Sequence, residues 1–242
     1  MNEIKNYSPN FRLPKRSRKI IKFIILHYTG MKKESKAIKR LQDPKSKVSC
    51  HYLIKKNGEI IILVPDLYEA WHAGLSSWGN YKLLNKNSIG IEITNPGHQN
   101  GYKNFSSKQI LSIQKLLKYL MKKYKIRKKC ILGHSDISPN RKKDPGEKFP
   151  WERLSKKGLA SWHKLDKKKI EKFRKIKLSS KIEKVIFFQN LNKIGYNRIK
   201  GVKLSANEKY LTKALQRKFR QSLVDGKIDR ECYLISKNLL SC

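Results

Sequence analysis

The chain has 242 residues, of which 57 are lysine or arginine and 18 are aspartate or glutamate, so its formal net charge at pH 7 is +39. Only 38% of the residues are hydrophobic, but apolar runs recur along the whole chain, which excludes wholesale disorder. No run approaches the roughly 18 to 20 apolar residues that a membrane-spanning helix needs, which excludes an integral membrane protein. A length of this order suits one large domain or two small ones.

The excess of positive charge should attract a polyanion such as a nucleic acid, an anionic lipid surface or an acidic cell-wall polymer. Most of the excess is lysine dispersed along the chain, as at 122–129 and 164–169. The alternative is that the dispersed lysines reflect a biased genomic composition, in which case the charge only aids solubility. The aromatic residues do not interleave with the basic clusters as base-stacking platforms should, so we expect no specific nucleic-acid partner.

The N-terminus has basic residues but no apolar segment behind them, which predicts that this chain carries no secretory signal peptide. The cysteines are widely spaced without a Cys-X-X-Cys pair, which argues against a zinc ribbon and a dense disulfide scaffold. They are Cys50, Cys130, Cys232 and Cys242. We therefore expect reduced thiols and a cytoplasmic protein. A periplasmic or envelope-associated protein is the alternative if a signal has been removed.

The first half of the chain predicts several strands. Residues 20–27 are almost continuously apolar and β-branched, which is typical of a strand buried on both faces. A polar, basic segment with a short helix follows, and then Asn57 and Gly58 separate two apolar runs within 51–64, which predicts a β-hairpin. Residues 88–94 predict another strand, because they are rich in β-branched residues and precede an Asn-Pro-Gly turn.

A long amphipathic helix is predicted from Ser106 to Tyr124, where apolar residues recur every three or four positions. Ser106 and Gln109 match a capping box at its start. The short apolar run 130–134 predicts one more strand. Strands interleaved with a long helix in this way indicate an α/β (α+β) fold, with a mixed central β-sheet flanked by helices.

From about Asp166 the composition becomes lysine-rich, and this change predicts a second domain. We expect a first domain over 1–165, a linker over 166–180 and a small three-helix domain over 181–242. Ser205 and Glu208 predict a capping box at the second of these helices. A bundle of about 60 residues is near the lower size limit for independent folding.

Two histidines lie at the ends of predicted strands, where rigid scaffolds place ligands: His27 and His134. Asp144 follows ten residues after His134 and precedes a Pro-Gly turn, which orients its carboxylate. Two imidazoles and one carboxylate suffice for a catalytic zinc ion, which keeps its fourth position for water. The spacing alone favours two ordinary hydrogen-bonded histidines instead, because a chain of this length contains several such triples.

Glu92 is a lone carboxylate within an apolar strand, where burial would raise its pKa toward the working range of a general base. A structural ion pair with one of the many lysines is the alternative. Trp71 and His72 place an aromatic ring and an imidazole beside small residues, a composition that suits a groove for a sugar or peptide. Core packing of Trp71 and a surface turn at His72 are the corresponding alternatives.

Five blocks occur in a fixed order along the chain: LHYTG, CHYLIKKNGEI, AWHAG, NSIGIEI and GHSDISPNRKKDPG. Together they resemble the zinc-dependent N-acetylmuramoyl-L-alanine amidases of the AmpD and AmiD type, which are related to peptidoglycan recognition proteins and phage T7 lysozyme. The resemblance extends from about Tyr7 to Lys164. It implies hydrolysis of the amide bond between N-acetylmuramic acid, or its 1,6-anhydro form, and L-alanine in peptidoglycan or muropeptides.

The resemblance also implies roles for individual residues. His27, His134 and Asp144 bind Zn²⁺, Glu92 is the catalytic carboxylate and Lys142 stabilises the oxyanion. Cys50 stands where some relatives have a tyrosine, so Glu92 must carry more of the proton transfer. Weaker candidates for substrate binding are Trp71, His72, Asn87 and Arg141. An arginine beside the metal-binding turn suits a stem-peptide carboxylate.

Residues 181–242 are similar to the helical peptidoglycan-binding domains that often accompany these amidases, and a stabilising helical extension is the alternative. The sequence does not separate intact sacculus from soluble anhydromuropeptides as the substrate. Two other functions compete for the whole chain: a catalytically silent peptidoglycan-binding protein and a basic nucleic-acid-binding protein. The complete ligand set, with Glu92 and Lys142, argues against the silent binding protein, and the arrangement of the aromatic residues argues against the nucleic-acid-binding protein. We expect the enzyme to be a monomer.

Overall fold

The computed structural model describes residues 4–5 and 7–241 of the chain. The strands in this part are β1 (Ile4–Lys5), β2 (Phe11–Arg12), β3 (Phe23–Tyr28), β4 (Tyr52–Ile54), β5 (Ile60–Ile62), β6 (Glu69–Ala70), β7 (Ser77–Trp78), β8 (Tyr81–Lys82), β9 (Ser88–Ile93) and β10 (Ile131–Gly133). The α-helices are α1 (Glu34–Gln42), α2 (Ser107–Tyr124), α3 (His134–Ile137), α4 (Trp151–Ser155), α5 (Lys167–Glu171), α6 (Lys181–Ile194), α7 (Leu204–Phe219) and α8 (Arg230–Leu240).

A six-stranded mixed sheet forms the centre of the fold, in the order β1-β5-β4-β9-β3-β10. The strands β4, β9, β3 and β10 are parallel to one another, whereas β4 and β5 form an antiparallel hairpin. The predicted fold class is confirmed. Because β3 lies between β9 and β10, the carboxyl ends of three parallel strands meet at one edge of the sheet.

The strand β3 is buried on both faces, as its apolar run predicts. Ile24 and Leu26 belong to a core cluster with the apolar face of α2. Phe23 and Ile25 belong to a second cluster, which includes Phe187 of α6 and other apolar residues of α7 and α8. The continuous apolar run is therefore explained by helices that cover both faces of the sheet.

Turn and cap residues define two other predicted elements. The hairpin turn has Gly58 at φ +87°, where a Cβ atom would lie 2.9 Å from the carbonyl oxygen of Lys108. At the start of α2, the Ser106 hydroxyl accepts the N–H of Gln109 at 3.2 Å, and the Gln109 side chain accepts the N–H of Ser106 at 3.0 Å. The predicted hairpin and the capping box are confirmed.

The C-terminal part contains the three predicted helices, α6, α7 and α8. The capping box predicted at Ser205 is wrong, because α7 begins at Leu204 and Ser205 already lies inside its first turn. Glu208 instead forms an ion pair with Lys184 at 2.7 Å. The boundaries of the predicted domains stay a prediction. The proposed linker includes α5, and the C-terminal helices share a hydrophobic cluster with the sheet.

Every helix among the described residues falls short of the length and apolarity needed to cross a membrane. Cys50, Cys130 and Cys232 are free cysteines, whereas Cys242 lies outside the described residues.

Candidate metal centre and active site

Three predicted ligands meet at the carboxyl edge of the sheet. Gly133 pairs with Leu26 in the parallel register of β10 and β3, so the residues that follow them, His134 and His27, lie side by side. The Nδ1 atoms of the two histidines are 2.9 Å apart, and each lies 3.0 Å from Oδ2 of Asp144. The three residues are 1%, 4% and 7% exposed in the order His27, His134, Asp144, so the cluster is buried.

The remaining ring nitrogens are held by hydrogen bonds. Nε2 of His134 donates to the carbonyl oxygen of Ala73 at 3.1 Å, which leaves the lone pair on Nδ1. Nε2 of His27 lies 3.1 Å from Nδ1 of His72, and Nε2 of His72 lies 3.3 Å from the Ser88 hydroxyl. With His27 and His72 each donating from Nε2, both Nδ1 lone pairs of the cluster face Asp144. Such outer partners orient imidazole ligands in metal sites.

Burial determines the protonation state of the cluster. It lowers the pKa of His27 to about 4, with help from the neighbouring His134. Burial opposes ionisation of Asp144, but the close electrostatic contacts with His134 and His27 hold its pKa well below the usual range. At neutral pH, His27 is therefore a neutral imidazole beside an ionised carboxylate. The three ligand atoms lie within 4.8 Å of one another, so the cluster could hold a metal ion.

Glu92 lies in β9 directly across from His27 in β3. Its Oε2 atom is inaccessible to solvent and makes no hydrogen bond within the described residues. Burial and, to a smaller extent, the negative charge of Asp144 raise the pKa of Glu92 to about 8, while Lys142 acts in the opposite direction. The expected rise in this pKa is confirmed. A carboxyl group of this kind can both accept and donate a proton near neutral pH.

A cleft of about 530 Å³ opens over the cluster. Its lining includes the predicted residues His27, His134, Asp144, Glu92, Lys142, Trp71, His72 and Arg141. His72 is only 9% exposed, so the alternative of a surface turn at this position is wrong. Two larger grooves, of about 870 and 760 Å³, contain none of the three cluster residues. The chemistry of the lining, and not the volume, therefore identifies the candidate site.

The predicted substrate residue Asn87 lies elsewhere. It precedes β9 at the amino end of the strand, and its side chain donates to the carbonyl oxygen of Ile20 at 3.2 Å. Glu92 lies near the opposite end of the same strand, so Asn87 is outside the cleft that Glu92 lines. The sequence block NSIGIEI contains both residues, but the length of an extended strand separates them.

The sequence profile of one protein family, N-acetylmuramoyl-L-alanine amidase, matches residues 16–147. The chain belongs to this family. It is 32% identical to N-acetylmuramoyl-L-alanine amidase AmiD of Escherichia coli over 233 residues, which are 91% of this chain and 82% of AmiD. It is also 44% identical to 1,6-anhydro-N-acetylmuramyl-L-alanine amidase AmpD of Haemophilus influenzae over 108 residues, which are 44% of this amidase and 56% of AmpD.

Two solved structures are similar over nearly the whole amidase. The complex of Escherichia coli AmiD with the substrate anhydro-N-acetylmuramic acid-L-Ala-D-γ-Glu-L-Lys has a TM-score of 0.80 at 30% identity, covering 95% of this chain and 92% of AmiD. AmpDh3 from Pseudomonas aeruginosa has a TM-score of 0.80 at 28% identity, covering 100% of this chain and 98% of AmpDh3. These matches agree with the mixed sheet and its surrounding helices.

Some residues of the amidase cleft carried no predicted role. Tyr28 and His98 both line it, and the Tyr28 hydroxyl lies 2.8 Å from Nδ1 of His98. Nε2 of His98 lies 3.0 Å from Oε2 of Glu147. Outside the lining, the Asn85 side chain accepts the N–H groups of His72 and Ala73 at 3.1 and 2.7 Å. Tyr28 adjoins His27 in the LHYTG block, which was the available signal, whereas no pattern distinguishes His98.

Proposed function

We propose that this amidase is zinc-dependent and cleaves the bond between the lactyl group of N-acetylmuramic acid, or its 1,6-anhydro form, and L-alanine. The observation that carries the proposal is the meeting of two Nδ1 atoms and one carboxylate oxygen beside Glu92 and Lys142 in one cleft. The similarity to AmiD, whose solved complex contains an anhydromuropeptide substrate, supports the choice of bond.

His27, His134 and Asp144 would hold the zinc ion. Two imidazole nitrogens and a carboxylate oxygen are a ligand set that suits zinc, and three protein ligands are typical of a catalytic site. Bound there, zinc would supply Lewis acidity, which lowers the pKa of water and polarises a carbonyl group. His72 maintains the tautomer of His27 by accepting its Nε2–H.

Glu92 moves the proton in this mechanism. Its carboxylate accepts a proton from the attacking water, and the carboxylic acid then donates that proton to the departing nitrogen of L-alanine. A pKa of about 8 makes both steps accessible near neutral pH. Cys50 is unsuited to assist, because burial raises the pKa of its thiol well above the usual value and Sγ donates to the carbonyl oxygen of Tyr52.

Positive charge dominates the rest of the cleft and supports an acidic substrate. The charged lining residues comprise Arg40, Arg141, Lys142, Lys143, Glu92 and Asp144. Lys142 stabilises the oxyanion that develops on the scissile carbonyl. Arg141, which also donates to the carbonyl oxygen of Ala73 at 3.3 Å, is available to a stem-peptide carboxylate, and the half-buried Trp71 offers a surface for the sugar.

Glu92→Gln tests this assignment, because it removes the titrating group with little change in shape. We expect turnover of soluble anhydromuropeptide to fall by about 10² to 10⁴-fold, the usual contribution of general acid–base catalysis. The zinc content of the purified variant should equal that of the unaltered chain. Near-unaltered turnover with zinc bound would exclude Glu92 as the proton carrier.

Removal of zinc by a chelator should abolish release of free stem peptide, and re-addition of zinc should restore it. Digestion of intact sacculi and soluble anhydromuropeptides in parallel would identify the preferred substrate form. A chain that binds sacculi but releases no peptide with zinc present would be a silent binding protein instead.

A further inference from the structure

A buried ion pair joins the C-terminal helices to the turn that carries His134. Nζ of Lys218, in the last turn of α7, lies 2.9 Å from Oδ2 of Asp136 in α3. The two side chains are 4% and 1% exposed. Asp136 follows the predicted metal ligand His134 by two residues, so the pair acts on the short helix that His134 begins.

The hydrogen bonds of both partners converge on the same stretch of chain. Asp136 accepts the N–H of Gly133 at 2.8 Å and the hydroxyl of Tyr196 at 2.8 Å. Lys218 also donates to the carbonyl oxygen of Ile131 at 3.0 Å. The residues on either side of His134 in the sequence are therefore attached to one ammonium group.

The burial of this lysine is unusual in the molecule. In the other lysine ion pairs of the described chain, the lysine side chain is 24% to 72% exposed. Lys218 gives up that hydration and lies 4.5 Å from the centre of the Trp151 ring. A buried charge is stable only where its partners are closely arranged, so the arrangement around Lys218 must be rigid.

We propose that Lys218 is a positioning residue for His134, through which the C-terminal helices hold the metal ligand in place. The ammonium group donates hydrogen bonds to the carbonyl oxygen of Ile131 and to the carboxylate of Asp136. Asp136 in turn accepts the N–H of Gly133, which immediately precedes His134. His134 then meets His27 and Asp144 with its Nδ1 atom. This inference rests on the proposed zinc site. It gives the C-terminal helices a role in catalysis that is independent of cell-wall binding.

The test compares this buried ion pair with a partly buried one in the full-length chain. Lys218→Met removes the charge that contacts Asp136, whereas Arg174→Met breaks the pair of Arg174 with Glu231, which has a distance of 2.7 Å and leaves residues 131–136 untouched. Zinc affinity is measured by competition with a chelator, and thermal unfolding is measured on the metal-free proteins. We expect both variants to unfold at lower temperature, but only Lys218→Met should bind zinc about 10 to 100-fold more weakly.

Equal zinc affinities of the two variants would overturn the inference. If Lys218→Met does not fold, Tyr196→Phe replaces it, because this change removes one hydrogen bond to Asp136 and keeps the ion pair. Weaker zinc binding by Tyr196→Phe supports the inference, and unaltered binding overturns it. Failure of the unaltered chain to bind zinc would refute the proposed metal centre, and this inference with it.

Discussion

Glu92 illustrates how burial of one carboxyl group both costs folding free energy and raises its pKa. Its strand lies between β3 and β4, and its Oε2 atom is inaccessible to solvent. The charged form therefore lacks the solvation that it has in the unfolded chain, which raises the pKa. A poorly solvated carboxylate is a stronger base, so the same burial that destabilises the fold suits the group to the proton transfer proposed for it.

The cost to stability should depend on pH. The pKa of about 8 in the folded protein exceeds the ordinary value of 4.5, so the folded state binds more protons than the unfolded state between these values. The destabilisation is absent well below pH 4.5, grows between pH 4.5 and pH 8, and is complete above pH 8. Glu92→Gln should therefore raise the unfolding free energy of the metal-free protein by up to about 5 kcal/mol at about pH 9.

Denaturant unfolding of both metal-free proteins at about pH 9 and about pH 5 measures this difference. The comparison at low pH is the control, because Glu92 is mostly protonated in the folded state there. A gain of the same size at both pH values would show that the substitution acts through packing and not through charge.

At the scale of elements, the strand β9 lets the ring of His72 lie close to its backbone at Gly90. A Cβ atom at Gly90 would lie 2.4 Å from Cγ of His72, well inside van der Waals contact. The absence of a side chain at this position lets the His72 ring lie against the strand. From there its Nδ1 reaches Nε2 of His27 in the neighbouring strand.

Gly90→Ala should therefore displace the His72 ring and weaken zinc binding by about tenfold, because the outer hydrogen bond to His27 is lost. Ile91→Val, at the next position of β9, is the control. It should cost about 1 kcal/mol of unfolding free energy but leave zinc affinity unaltered, since no ring is moved. Competition with a chelator measures the zinc affinity of both variants. Equal zinc affinities would mean that His72 does not orient His27.

At the scale of the whole molecule, positive charge greatly exceeds negative charge. The chain has 57 basic and 18 acidic side chains, so most of the basic side chains cannot each have an acidic partner of their own. Their mutual repulsion destabilises the compact state, and the effect is long-ranged when ionic strength is low. One hydrophobic cluster, which contains residues of both the sheet and the C-terminal helices, opposes this repulsion.

Salt should consequently stabilise this protein. Raising sodium chloride from about 0.01 M to about 0.15 M shortens the screening length from about 30 Å to about 8 Å, so the repulsion between lysines decreases. We expect the temperature of thermal unfolding to rise by several degrees. Sucrose at equal osmolality is the control for non-electrostatic effects. A melting temperature that falls with salt would mean that attractive ion pairs dominate the electrostatic free energy.

The sequence by itself determined the local elements of this protein. The β-branched run of β3, the Asn-Gly hairpin and the capping box of α2 were readable because each depends on residues that are close along the chain. The order of five sequence blocks also indicated the amidase family. The capping box expected at Ser205 shows the limit of this approach, since a shift of the helix start by one or two residues changes which side chain can cap.

Only the tertiary structure decided which of the distant residues meet. His27 and His134 are 107 residues apart in the chain, and their contact depends on the adjacency and register of β3 and β10. The same topology leaves Asn87 at the far end of β9, while packing buries Lys218 against Asp136. Local sequence patterns depend only on residues that are close along the chain. Distances across the sheet arise from strand order and from the packing of helices on both of its faces.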